Sequence, residues 1–146
     1  MYKHTQTGWM VIGTMIAGIL FVAATGIYFK PRPETWFPLS LTMGLLAVMA
    51  LVFGWLTVTV DHEAVRARFG IGLVRKTIRI SDIREAVQVR NKWYYGWGLR
   101  MGPWGPMFNV SGLDAVEIAN KDNSRFRIGT DEPEALLNAI KMRISV

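Results

Sequence analysis

Cysteine is absent from this 146-residue chain, which excludes disulfide staples and thiolate metal ligation. Histidine is scarce, with only His4 and His62 present, and no His or Asp/Glu cluster has metal-ligand spacing. The glycine pairs Gly70-Ile71-Gly72 and Gly96-Trp97-Gly98 are too short to cradle a phosphate. No nucleophile, base and orienting group can be assembled from the rest. The chain therefore reads as non-enzymatic, with no catalytic residue, metal or cofactor.

Charge is the most informative absence. The first 60 residues hold only Lys3, Lys30, Arg32 and Glu34, whereas residues 61–146 hold 14 Lys and Arg against 10 Asp and Glu. Two stretches without charge are bracketed by aromatics at one spacing, since Trp9 to Tyr28 and Trp36 to Trp55 are both 19 residues apart. At helical rise that spacing covers roughly 28 Å, close to the hydrocarbon thickness of a bilayer. Trp and Tyr favour the membrane interface, where the ring is half buried and its polar atom stays wet. Residues 1–56 are thus expected to form a short flank and a transmembrane hairpin, with helices at about 9–29 and 36–56. A cleaved signal peptide competes for the first run, because Lys3 precedes it and Ala23-Ala24 are small, but the run is long for a signal segment.

Basic residues set the expected orientation. Lys3, Arg66, Arg68, Arg75, Lys76 and Arg79 flank the outer ends of the hairpin, against Lys30 and Arg32 in its loop. Both termini are expected in the cytoplasm, at a bacterial inner membrane. Trp9 and Trp55 then mark the cytoplasmic interface, and Tyr28 and Trp36 the opposite one. Within the helices, Gly13 with Ala17, Thr14 with Gly18, and Ala50 with Gly54 put small residues at four-residue spacing. Such faces allow close helix packing, within the hairpin or against another membrane protein.

Residues 57–146 change period from helical to two. Val65-Arg66-Ala67-Arg68-Phe69, Ile78-Arg79-Ile80, Val87-Gln88-Val89-Arg90, Val116-Glu117-Ile118 and Phe126-Arg127-Ile128 alternate apolar with polar, as half-buried strands do. Turn residues separate them, including Asp61-His62, Gly70-Ile71-Gly72, Ser111-Gly112 and Lys121-Asp122-Asn123-Ser124. The chain closes on an amphipathic helix, with Asp131 and Glu134 placed as a capping box and Leu136, Leu137, Ile140 and Ile144 as its apolar stripe. Six or seven antiparallel strands and one helix are expected.

This pattern resembles the bacterial PH-like domains of small membrane proteins. The resemblance spans about residues 57–146. It is carried by Arg66-Ala-Arg-Phe-Gly-Ile-Gly, Ile80-Ser-Asp-Ile-Arg, Tyr95-Gly-Trp-Gly-Leu-Arg, Phe108-Asn-Val-Ser-Gly and Phe126-Arg-Ile-Gly-Thr-Asp-Glu-Pro-Glu. It implies a partly open antiparallel barrel plugged at one end by the helix. Fold does not by itself specify function.

The densest aromatic segment is Trp93 to Trp104. Two readings stay open: Trp93, Tyr95 and Trp97 alternate into the domain while Gly96 and Gly98 permit a bend, or the segment is an exposed contact. As a contact, Trp93, Tyr94, Tyr95, Trp97, Arg100 and Trp104 would meet a partner protein or the membrane interface, and Arg90, Lys92 and Arg100 anionic lipid. The functional expectation is an interaction or scaffolding module that presents the domain at the cytoplasmic membrane surface. An accessory or assembly subunit of a photosynthetic or respiratory membrane complex is one alternative, and an anionic-lipid sensor another. Expected partners are membrane lipids and other membrane-protein subunits; the interleaved carboxylates argue against nucleic acid.

Overall fold

A computed structural model describes residues 1–30 and 32–144. Two helices, α1 (Trp9–Phe29) and α2 (Trp36–Phe53), form an antiparallel hairpin. Both are long and apolar enough to cross a membrane. The strand β1 (Tyr2–Thr7) precedes them, and β2 (Trp55–Val60), β3 (Ala64–Phe69), β4 (Arg75–Arg79), β5 (Ile83–Arg90), β6 (Gly98–Gly102), β7 (Gly105–Asn109), β8 (Asp114–Asn120), β9 (Arg125–Gly129) and the helix α3 (Pro133–Ile144) follow.

The second helix stops before residue 56. Gly54 bends the chain, and the β-branched run Thr57-Val58-Thr59-Val60 favours a strand once a partner is available. That partner is β1, aligned antiparallel from Tyr2 opposite Val60 to Thr7 opposite Trp55. The N-terminal flank expected from the sequence is therefore an edge strand. The β-rich region draws its first strand from ahead of the hairpin, so a boundary at residue 57 does not mark where its sheet begins.

The strands form two sheets, in the orders β1-β2-β3-β4 and β5-β8-β9-β7-β6. Among the described residues no closed barrel forms, and after the hairpin there are eight strands rather than six or seven, with β1 as a ninth from ahead of it. One pairing is parallel: β9 lies between β8 and β7, with Met107 opposite Arg127 and Phe108 opposite Ile128. Inner faces of both sheets share one core containing Leu56, Val65, Phe69, Val116, Ile118, Phe126 and Ile128, onto which α3 lays Leu136 and Ile140. Rings run through it in series: Phe53 to Phe69 at 5.3 Å, Phe69 to Phe108 at 4.7 Å and Phe108 to Phe126 at 5.0 Å. Because Phe53 ends α2, the core reaches to the foot of the hairpin.

Asp131 does not cap α3. The Thr130 hydroxyl accepts from the Glu132 N–H at 3.1 Å, while the Asp131 carboxylate meets His4 Nε2 at 2.7 Å. The edge strand β1 thus supplies the partner of the Asp131 carboxylate.

Candidate functional site

The foot of the hairpin is built from close backbone contacts. The Gly8 N–H donates to the Gly54 carbonyl at 2.7 Å, and the Gly70 N–H to the Trp55 carbonyl at 2.8 Å. The β1–β2 ladder thus passes into the two helices without an intervening linker. Gly70 has φ +43°, and a side chain there would strike the Leu51 and Val52 carbonyls. Glycine is required for both reasons. Gln6, buried in β1, donates through Nε2 to the Ser111 Oγ at 2.8 Å and so joins the two sheets.

Trp9 opens α1 and Trp55 opens β2 at this end, while Tyr28 and Trp36 lie at the far end of the hairpin. Trp55 is a strand residue, half-buried and paired with Thr7, rather than the last turn of a helix. Of the small residues, Gly18 does face α2, since a Cβ there would stand 3.2 Å from Leu46 Cδ1. Gly54 meets Ile12 at 3.3 Å by the same measure, and Ala50 is half-buried. Gly13 and Ala17 do not join this contact: both are exposed, and a Cβ on Gly13 meets open space. Gly26 was not anticipated, yet the Trp36 ring lies 3.2 Å from where its Cβ would be.

The aromatic segment divides between the two readings. Trp93 to Tyr95 make a tight turn after Lys92, leaving Trp93 75% and Tyr94 59% exposed. Their rings touch edge to face at 5.9 Å, and Lys92 Nζ lies 5.7 Å from the Tyr94 ring centre. Arg90 is exposed at the end of β5. Tyr95 and Trp104 are half-buried and stack at 4.2 Å. Below Trp104 sits the Arg127 guanidinium at 4.5 Å. Arg127 donates from Nε to Glu117 Oε2 at 2.6 Å and from Nη1 to Asn91 Oδ1 at 3.0 Å. Burial with paired charge and a cation–π contact makes this a fastened inner layer beneath an exposed pair.

Past that layer the chain returns to the hairpin. Trp97, Leu99 and Arg100 face Met10, Met15, Met49 and Phe53 across a groove of about 400 Å³. The Trp97 indole N–H is buried there with no hydrogen-bond partner among the described residues. Arg100 turns back over Gly96, its Nη2 standing 3.2 Å from where a Cβ would be.

A second surface at the foot adds an apolar turn, which the sequence reading passed over, to basic strand positions. Antiparallel β3 and β4 put Arg68 opposite Arg75, and the turn between them exposes Ile71 by 66% and Leu73 by 72%. Arg66, by contrast, is paired with Asp61 at the other end of the strand. Two aliphatic side chains within the turn Gly70-Ile71-Gly72-Leu73 were the available signal.

At the opposite end, Tyr2 and His4 meet the start of α3. Partial burial, reinforced by Glu132 and then Asp131, pushes the Tyr2 hydroxyl up to about 12. No family model, curated protein or solved structure matches this chain.

Proposed function

We propose that the chain is a non-enzymatic, membrane-anchored interaction module, whose hairpin spans a bacterial inner membrane and whose β-rich region stands at the cytoplasmic surface. The supporting observation is the uninterrupted passage from the β1–β2 ladder into the helices through the Gly8 to Gly54 hydrogen bond. With no linker to swing on, the domain keeps one height and one facing relative to the bilayer. A partner in the same membrane is then met at high effective concentration and in one orientation.

The contact in this reading is the exposed pair Trp93 and Tyr94. Trp and Tyr are frequent anchors of protein interfaces, and here the Tyr95, Trp104 and Arg127 stack holds the loop that carries them. Purification of the full chain in gentle detergent, from wild type and from a Trp93→Ala, Tyr94→Ala double variant, tests the reading. A stoichiometric membrane-protein partner should accompany the wild type and be lost from the variant while the variant's thermal unfolding is unchanged. Equal recovery from both, or a wild-type chain that migrates alone, contradicts it. Membership of a larger membrane complex is the second reading, favoured by the exposed small-residue face of Gly13 and Ala17 on α1.

A further inference from the structure

We infer that the β3–β4 hairpin is a lipid-contacting element: Ile71 and Leu73 enter the edge of the bilayer's hydrocarbon, and Arg68 and Arg75 receive the phosphates of anionic phospholipids. The inference rests on the reading that α1 and α2 cross a membrane.

Register and contact give the depth. β2 leaves the foot of the hairpin at Trp55 and β3 returns antiparallel to it, with Leu56 opposite Phe69. The turn that follows is therefore at the hairpin end of the sheet. Gly70 lies against the Leu51 and Val52 carbonyls in the last turn of α2, so the turn is level with residues of the spanning helix rather than above them. Its inner side is secured by hydrogen bonds from the Gly72 N–H to the Phe69 carbonyl at 2.7 Å and from the Phe69 N–H to the Val74 carbonyl at 2.8 Å. Val74 packs toward the core while Ile71 and Leu73 point out. In water two large aliphatic side chains on a rigid turn are unfavourable; beside the hydrocarbon they are matched to their surroundings.

Charge specifies the lipid. Like charges directly opposite on neighbouring strands destabilise a sheet, yet Arg68 faces Arg75 and both are exposed. Among the described residues no carboxylate lies within ion-pair distance of either, whereas Arg66 on the same strand has Asp61. Both arginines lie one step behind the apolar turn, where headgroup phosphates would be. A phosphate between them relieves the repulsion and is attracted by each guanidinium.

The absence of cysteine makes the test direct. Single variants Ile71→Cys, Lys121→Cys in the β8–β9 turn, which is hydrogen-bonded to Asp82 beyond the far end of β4, and Leu45→Cys on the outer face of α2 are labelled with one environment-sensitive dye. Each is reconstituted into phosphatidylcholine vesicles with or without phosphatidylglycerol, carrying quenchers placed shallow and deep in the acyl chains, the shallow one reporting on position 71 and the deep one on position 45. The dye should be quenched at 45 and 71 and not at 121. Spin-labelled phosphatidylglycerol should be preferred over the choline lipid near position 71. That preference should fall by about fivefold for each of Arg68→Gln and Arg75→Gln at low salt. Quenching at 45 without quenching at 71 overturns the inference alone. Equal association of both lipids overturns the assignment to anionic phospholipid, and no quenching at 45 overturns the membrane reading together with the inference.

Discussion

Arg127 shows how far one side chain shapes the surface above it. It stands opposite Glu117 across the β8–β9 ladder, and its guanidinium supports Trp104, on which Tyr95 stacks. Removing one member of a buried pair leaves the other charge uncompensated, so Glu117→Ala should cost about 3 kcal/mol. Glu117→Gln, which keeps an acceptor, should cost less; thermal unfolding in mild detergent orders the two, and equal losses would refute the role of charge. At the other end, Tyr2 holds its proton up to about 12 in the folded chain against an ordinary value of 10.0. Its share of stability is therefore intact below pH 10 and is lost as pH rises toward 12. Tyr2→Phe should remove that part of the alkaline decline, seen as a smaller fall in unfolding temperature between pH 9 and 12. The aromatic run was visible in the sequence, but its division was not. Trp104 faces inward because Arg127 reaches it from a strand more than twenty residues later, and composition carries no sign of that.

At the scale of elements, the hairpin was legible because its helices lack charge over a bilayer's length, and the strands because they alternate apolar with polar. The charge-free runs yielded α1 at residues 9–29, and Val65 to Phe69 and Phe126 to Ile128 fall within β3 and β9. What escaped depended on distant pairing. β1 is short and polar, and its partner β2 lies beyond the whole hairpin, so Tyr2 to Thr7 gave no local reason to be a strand. The same pairing ends α2 at Phe53. Small-residue spacing marked both Gly13 and Gly18, although only the second faces α2. Gly18→Val should therefore lower hairpin stability by about 1–3 kcal/mol through overpacking against Leu46, while Gly13→Val should stay within about 0.5 kcal/mol of wild type. Comparative thermal unfolding in detergent measures both, and similar losses would place Gly13 in the helix contact after all.

For the molecule as a whole, the organising feature is that sheet and hairpin are continuous. The core runs from Phe126 through Phe108 and Phe69 to Phe53, the ladder from Tyr2 to Thr7 ends where α1 begins, and the exposed surfaces around the foot are held in register with both. In the proposed setting, Trp93 and Tyr94 serve a protein neighbour and the β3–β4 turn serves the lipid. The central claim is that the exposed aromatic pair meets another integral membrane protein. Its most direct measurement is photo-crosslinking in intact membranes, with a benzophenone amino acid at Tyr94 and, as control, at Asp122 in the distant turn. A discrete adduct to one integral membrane protein from position 94, absent from 122, is predicted. Adducts only to lipid, or the same products from both positions, would contradict it.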